Sequence, residues 1–349
     1  MNRVQRAAWA LSLVLSLGSA MAATSPPSVT PTEHLRGEEQ TFLTYPEWFL
    51  VHSPAEYAAY VAGHTPTDFP FWGHIGQLWR SYAAVTRATR EYPLNIGYHV
   101  MICVIAVSTT VEYALRSAYE TVIGRLSELT ARNGMSEEDR YGARVAQDYV
   151  DFIRVQPWYE YDFMAKLRGL WRETGVTGPD FVRKWERKYA LTTEYGIKAA
   201  YGWLIKKATK ASYDEASPVT AVIVDRLPAD LPPKLPDMKV LLEVPGGRAL
   251  VTLPRYAAFK RHAAALAAAG ANFREIAGNG VDARILLTLL APADWTPAIA
   301  GSSVLFEDPI LTRPGRKRVA LVVRVGALAP ALNSLAGAAN VEIEHVYDY

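Results

Sequence analysis

Cysteine is almost missing: Cys103 is the sole thiol among 349 residues. One thiol cannot form an intramolecular disulfide, a cysteine-built zinc site, an iron–sulfur cluster or a c-type haem attachment. Charge of one sign is lacking too. The 37 Lys+Arg stand against 35 Asp+Glu, a net +2, which speaks against a dedicated nucleic-acid binder. Charged residues make up only 21% of the chain, below the ~25% usual for globular proteins. There is no Gly-rich phosphate loop, no G-x-S-x-G elbow and no H-E-x-x-H helix. No two of the seven His stand three or four residues apart, so no helix-borne histidine pair can hold a metal. No cofactor, metal or catalytic set is therefore expected. What is plentiful is apolar surface, at 50% of residues, in a chain long enough for two ordinary domains.

The first 22 residues carry Arg3 and Arg6, then an apolar run from Ala7 to Gly18, then Ala20-Met21-Ala22. That order is a secretory signal with a small-x-small cleavage site, although an uncleaved amino-terminal anchor would use the same residues. Residues 23–36 begin with a Pro/Ser/Thr stretch and read as a flexible tether. The expected location is the bacterial cell envelope, at the inner membrane or in the periplasm.

Residues 37–215 read as an aromatic-rich, all-helical domain, because no strand alternation interrupts the helical spacing. Ser53-Pro54-Ala55-Glu56 has the composition of a capping box that opens a helix, with Gly63 closing it. Later helices are expected after Asp68, from Asn95 toward Asn133-Gly134, after Ser136, over Trp158–Thr174, and from Pro179 to about Ser212. Tyr92 to Val111 gives 20 consecutive residues without a formal charge, about the length of a bilayer crossing. The same stretch also suits the central helix of a soluble bundle. Glu112 and Arg116 follow at i, i+4 spacing and can pair.

Residues 164–212 hold eleven Lys+Arg and four Asp+Glu, a local +7. Within them Val182, Trp185, Tyr189, Thr192, Gly196, Ala199 and Trp203 form one stripe. The stripe either faces a core, with Lys and Arg in solvent, or lies on an anionic membrane. Membrane-contact candidates are Trp185, Tyr189, Trp203, Lys206 and Lys207. Seven of the nine Trp fall between Trp48 and Trp203, either filling the bundle core or lining a groove for an apolar ligand. Candidates for such a pocket are Tyr45, Glu47, Trp48, His99 and Glu112.

Residues 216–238 form a Pro-rich linker, and 239–349 carry hairpin signals and two similar helix-to-strand passages. Leu266-Ala-Ala-Ala-Gly-Ala-Asn272 precedes Phe273-Arg-Glu-Ile276, and Leu335-Ala-Gly-Ala-Ala-Asn340 precedes Val341-Glu-Ile-Glu344. This duplicated βαβ pattern resembles a ferredoxin-like α+β domain. Val219–Val224 is expected as an isolated strand and 291–316 as an irregular insertion. The basic cluster Arg313–Arg318 reads as a solvated loop or an anion contact. Three functions remain open on the sequence. The first is a membrane-associated, non-enzymatic envelope protein that meets the inner membrane and an unidentified protein partner. The second is an enzyme or carrier for an apolar or lipidic ligand, and the third a soluble periplasmic binding protein.

Overall fold

The computed structural model describes residues 29–132, 134–210, 217–244 and 247–349. The expected signal and the start of the tether lie outside them. Helices fill the N-terminal part and two antiparallel sheets the C-terminal part. The chain divides into two compact units that do not follow the linear order. One comprises the chain up to Glu47, Trp79–Cys103 and Glu215–Tyr349; the other comprises Trp48–Leu78 and Val104–Asp214.

The helices are α1 (Gln40–Leu43), α2 (Tyr45–Val61), α3 (Phe71–Ala88), α4 (Ile96–Tyr119), α5 (Arg125–Glu128), α6 (Glu137–Ile153), α7 (Phe163–Glu173) and α8 (Phe181–Lys210). Asn95 Oδ1 accepts from the Tyr98 N–H at 3.2 Å and starts α4. Ser136 and Asp139 form a reciprocal capping box on α6. Asp162 accepts from the Ala165 N–H to start α7, so this helix opens later than Trp158. A π turn over Glu120–Gly124 joins α4 to α5, and the rod runs unbroken from Ile96 to Glu128.

Ser53 does not cap a helix. Pro54 lies inside α2, and the Ser53 hydroxyl is engaged by His74 Nδ1 at 3.0 Å and the Tyr113 hydroxyl at 2.7 Å. His74 Nε2 stands 3.6 Å from Glu56 and its ring stacks on Phe69 at 4.7 Å. All four polar residues are buried, so the cluster clamps α2, α3 and α4 together.

The strands are β1 (Val219–Asp225), β2 (Lys239–Val244), β3 (Arg248–Pro254), β4 (Asn272–Ile276), β5 (Asn279–Gly280), β6 (Arg284–Pro292), β7 (Ser303–Pro309), β8 (Arg316–Arg324) and β9 (Glu342–Tyr347). Helix α9 (Ala257–Ala268) precedes β4, and α10 (Leu328–Ala336) precedes β9. Strand order is β2-β3-β1-β4-β5 in one sheet and β7-β8-β6-β9 in the other. The duplication is present, but its unit is three strands, a helix and a strand. In both copies the first strand lies between the third and the last. A ferredoxin-like domain arranges β-α-β-β-α-β in a single sheet; here two sheets form instead. The reason lies in two stretches whose pairing is non-local. Val219–Val224 is not isolated but central, paired with β3 and β4. The supposed insertion supplies β7, paired with β8.

One apolar core runs through this unit, from Val222, Val251, Phe259 and Leu266 to Leu287, Leu321, Leu332 and Val346. Ala277 and Gly278 both have positive φ in the two-residue β4–β5 turn, as a type I′ hairpin requires. The end of the presumed tether docks there: the Arg36 N–H donates to the Ala277 carbonyl at 3.0 Å. The basic cluster is also part of the sheet. Arg318 is buried and makes two bonds to Glu344, and Lys317 reaches Glu307 at 2.8 Å.

Candidate membrane-facing surface

Helices on a protein surface normally bury their apolar stripe and expose their charges. In the helical unit α4, α5 and α8 do the reverse. Val104, Val107, Val111, Leu115, Val122 and Leu126 are each more than half exposed. On the same rod Thr109, Tyr113, Ser117, Glu120 and Ser127 are buried. The π turn keeps this inversion in phase: one extra residue per turn lets Glu120 and Gly124 stay inward while Val122 and Ile123 stay outward. Only 22% of the rod's apolar window is buried, whereas the central helix of a soluble bundle would be mostly covered.

Helix α8 repeats the inversion with stronger chemistry. Val182, Tyr189, Ile197, Trp203 and Leu204 are each more than half exposed, while Arg183, Lys184, Arg187 and Lys188 are each at most 4% exposed. The expectation of a core-facing stripe with solvated Lys and Arg is therefore overturned. The basic residues point inward because acids on neighbouring helices meet them there. Lys198 reaches Glu112 at 3.1 Å, Arg116 reaches Glu194 at 3.5 Å, and Arg187 reaches Glu120 at 2.9 Å. Arg183 bonds Asp139 at 3.0 Å and Ser127 at 3.1 Å, and Lys184 bonds Glu138 at 2.9 Å. As numbers rise along α4 they fall along α8, so the two helices run antiparallel with ion pairs along their shared seam. Arg116 also has its guanidinium over the Tyr57 ring, 4.4 Å from the centroid. Burial alone would raise the Glu194 carboxyl, yet Arg116 and Lys198 together hold it down at about 2.

The tryptophans follow the surface as well. Trp72, Trp79, Trp171, Trp185 and Trp203 are exposed, and Trp48 and Trp158 are partly so; the core is filled by Tyr and Phe. None of the seven is fully buried, although Trp158 packs against the cluster of Tyr141, Tyr161 and Phe163. Among the membrane-contact candidates, Trp185, Tyr189 and Trp203 are exposed on α8, and the exposed Lys207 ammonium lies 4.3 Å from the Trp203 ring centre. Lys206 is paired with Glu160. On α8, Gly196 has open space where a Cβ would stand, so no neighbouring chain packs closely there. Gly202 is the tight position, where a Cβ would meet the Tyr159 carbonyl at 3.4 Å.

The pocket candidates are divided between the two units. Tyr45 is buried in the β-rich unit, edge-on to Phe306 at 4.8 Å. Glu47, in the same unit, is raised by burial, while a hydrogen bond from Tyr98 and the Arg255 charge pull it down. His99 meets the Tyr82 hydroxyl at 3.1 Å. Trp48 belongs to the helical unit, 6.1 Å from His52 between ring centres. Glu112 belongs to the ion-paired seam. His99 and Glu112 are thirteen residues apart on one helix, a rise of about 20 Å, so they cannot serve one small ligand. Sequence reasoning missed Arg183, Lys184, Arg187 and Lys188 as interior groups. Their only signal was four bases within six residues on the same helix as an apolar stripe.

No family model matches the chain, and neither a curated protein nor a solved structure matches it. Among the described residues, no group of three His, Cys, Asp or Glu is placed to hold a metal ion.

Proposed function

We propose that this chain is a membrane-associated protein of the bacterial cell envelope, with a non-enzymatic interaction or scaffold role. Its helical unit meets lipid through the outward stripes of α4–α5 and α8, and its β-rich unit is the module that meets a protein partner. The observation that carries this reading is the inverted burial: apolar side chains outside, ion pairs inside. In water such an arrangement loses twice, by exposing apolar area and by desolvating charges. Against lipid the first cost disappears, and polar contacts between helices become what holds them together. The stripe from Val104 to Leu129 is about 38 Å long and that from Val182 to Leu204 about 33 Å, at 1.5 Å per residue. Phe181, Trp185, Tyr189, Tyr201 and Trp203 are exposed along the α8 stripe, and Trp and Tyr are the side chains enriched at lipid–water boundaries.

Fractionation of cells expressing the full chain tests this. The protein is expected in the membrane pellet after an alkaline carbonate wash. The triple variant Val107→Glu/Val111→Glu/Leu115→Glu is expected in the supernatant with unchanged helix content. A wild-type chain recovered as a soluble monomer would remove the reading.

A further inference from the structure

We infer that the helical unit lies flat on a single leaflet and crosses the bilayer nowhere. This rests on the membrane-associated reading above and adds to it a topology. Two independent observations carry it.

The first is a count of crossings. Trp79–Cys103, directly before the α4 stripe, and the residues after α8 belong to one compact unit. The bonds that tie them are specific. Arg284 donates to the Tyr92 hydroxyl at 2.6 Å, Arg80 reaches Asp308 at 3.2 Å, and Thr41 accepts from the Leu286 N–H at 3.0 Å. A single crossing between Val104 and Asp214 would put these partners on opposite sides of the membrane. The number of crossings in that segment is therefore even, and one spanning helix at 92–111 is ruled out. Residues 79–103 already belong to the β-rich unit.

The second observation removes two crossings. An α4/α8 hairpin through the bilayer would carry along whatever packs beside the middle of α8. Helices α6 and α7 pack there: the Trp171 indole donates to Thr192 at 3.1 Å, and Tyr141, Phe163 and Tyr195 share one cluster. These two helices hold charges on their outer faces. Arg144 pairs with Glu173 and Lys166 with Asp148, and the side chains of Arg144, Glu173 and Asp148 are all more than half exposed. At mid-bilayer each Arg or Asp costs about 2.5–3.5 kcal/mol even on the mildest scale. Polar helices beside α8 and apolar stripes on α4, α5 and α8 together describe a body with a lipid side and a water side, as interfacial proteins have. A second copy of the chain would also cover apolar area. Lipid is favoured because the α8 stripe exposes Trp185, Tyr189 and Trp203, with the Lys207 ammonium 4.3 Å from the Trp203 ring centre, the pairing of aromatic face and basic head that helices lying at a headgroup boundary present.

Cysteine labelling of the full chain in cells with a permeabilised outer membrane tests the topology. Cys103→Ser provides the background, and Arg144→Cys and Arg324→Cys report the outer face of α6 and the β-rich unit. Both positions are exposed in surface pairs, so neither substitution touches the core. A membrane-impermeant maleimide is expected to modify both to the same extent, in protein that remains in the membrane pellet. Both reacting only after lysis keeps the flat seating and places the protein on the cytoplasmic face. Labelling at 324 with protection at 144 until detergent is added overturns the flat seating while leaving the membrane reading intact. Recovery of the labelled chain in the soluble fraction overturns the membrane reading itself.

Discussion

Two kinds of carboxylate, partly or fully buried, make opposite demands on pH. Glu194 is held at about 2 between Arg116 and Lys198, below its ordinary value. Its contribution to stability is complete above the ordinary carboxylate range and is lost as pH falls toward 2. Glu47 and Asp348 are raised, both mainly by burial, with Arg255 opposing the shift in each. They bind protons more tightly in the folded chain, so they subtract stability as pH rises through and above their ordinary values. Glu194→Gln is expected to lower the thermal midpoint at pH 7, with the deficit shrinking as pH approaches 3. Glu47→Gln, which keeps an acceptor for Tyr98, is expected to raise the midpoint at pH 7 and to be neutral near pH 3. Thermal melts of the three proteins across that range check both signs. Removing Arg187 is a harsher change, because Glu120 stays behind in a buried place without its guanidinium partner, while Glu186 keeps Arg183 and Ser127. Arg187→Leu is expected to cost roughly 3–5 kcal/mol, read as a shift in denaturant midpoint. Ser53→Ala strips partners from His74 and Tyr113 and is expected to cost about 1–3 kcal/mol by the same measurement.

At the scale of elements, periodicity reveals a stripe and says nothing about which side of it faces in. That is why α8 is legible as an amphipathic helix yet reads inside-out from its sequence. Arg183, Lys184, Arg187 and Lys188 point inward because of Glu120, Glu138 and Asp139, which lie some 45 to 70 residues earlier. No local pattern contains that information. The caps at Asn95 and Ser136 were legible, because each is decided within four residues. Ser53-Pro54 misleads for the converse reason: the local motif is satisfied, but His74 and Tyr113 claim the hydroxyl first. The sheets show the same divide. The pairing of consecutive strands β2 and β3 and the two helix-to-strand passages are local and readable. The centrality of β1 and the membership of β7 depend on partners that sequence spacing does not specify. If the ion-paired seam sets the α4–α8 register, Arg116→Glu/Glu194→Arg should recover most of the stability that either single reversal loses. Denaturant unfolding of the four proteins measures that coupling.

For the molecule as a whole, the interleaving of the two units matters more than either fold. Residues 79–103 return to the β-rich unit before α4 continues into the helical one. A hydropathy profile of the linear chain presents 92–111 as one apolar block, although its two halves belong to different bodies. After this division the stripes of α4, α5 and α8 remain as exposed apolar surface, while α6 and α7 keep charged pairs on the outside. The central claim is that this surface faces lipid, and spin-label accessibility on the full chain in phospholipid vesicles tests it most directly. Nitroxides at positions 107, 111, 115 and 197, in a Cys103→Ser background, are expected to collide more with oxygen than with a water-soluble nickel complex, and a label at 144 to show the reverse. Collision with nickel at the stripe positions matching that at 144, or protection of the stripe from both reagents, would contradict a lipid-facing surface.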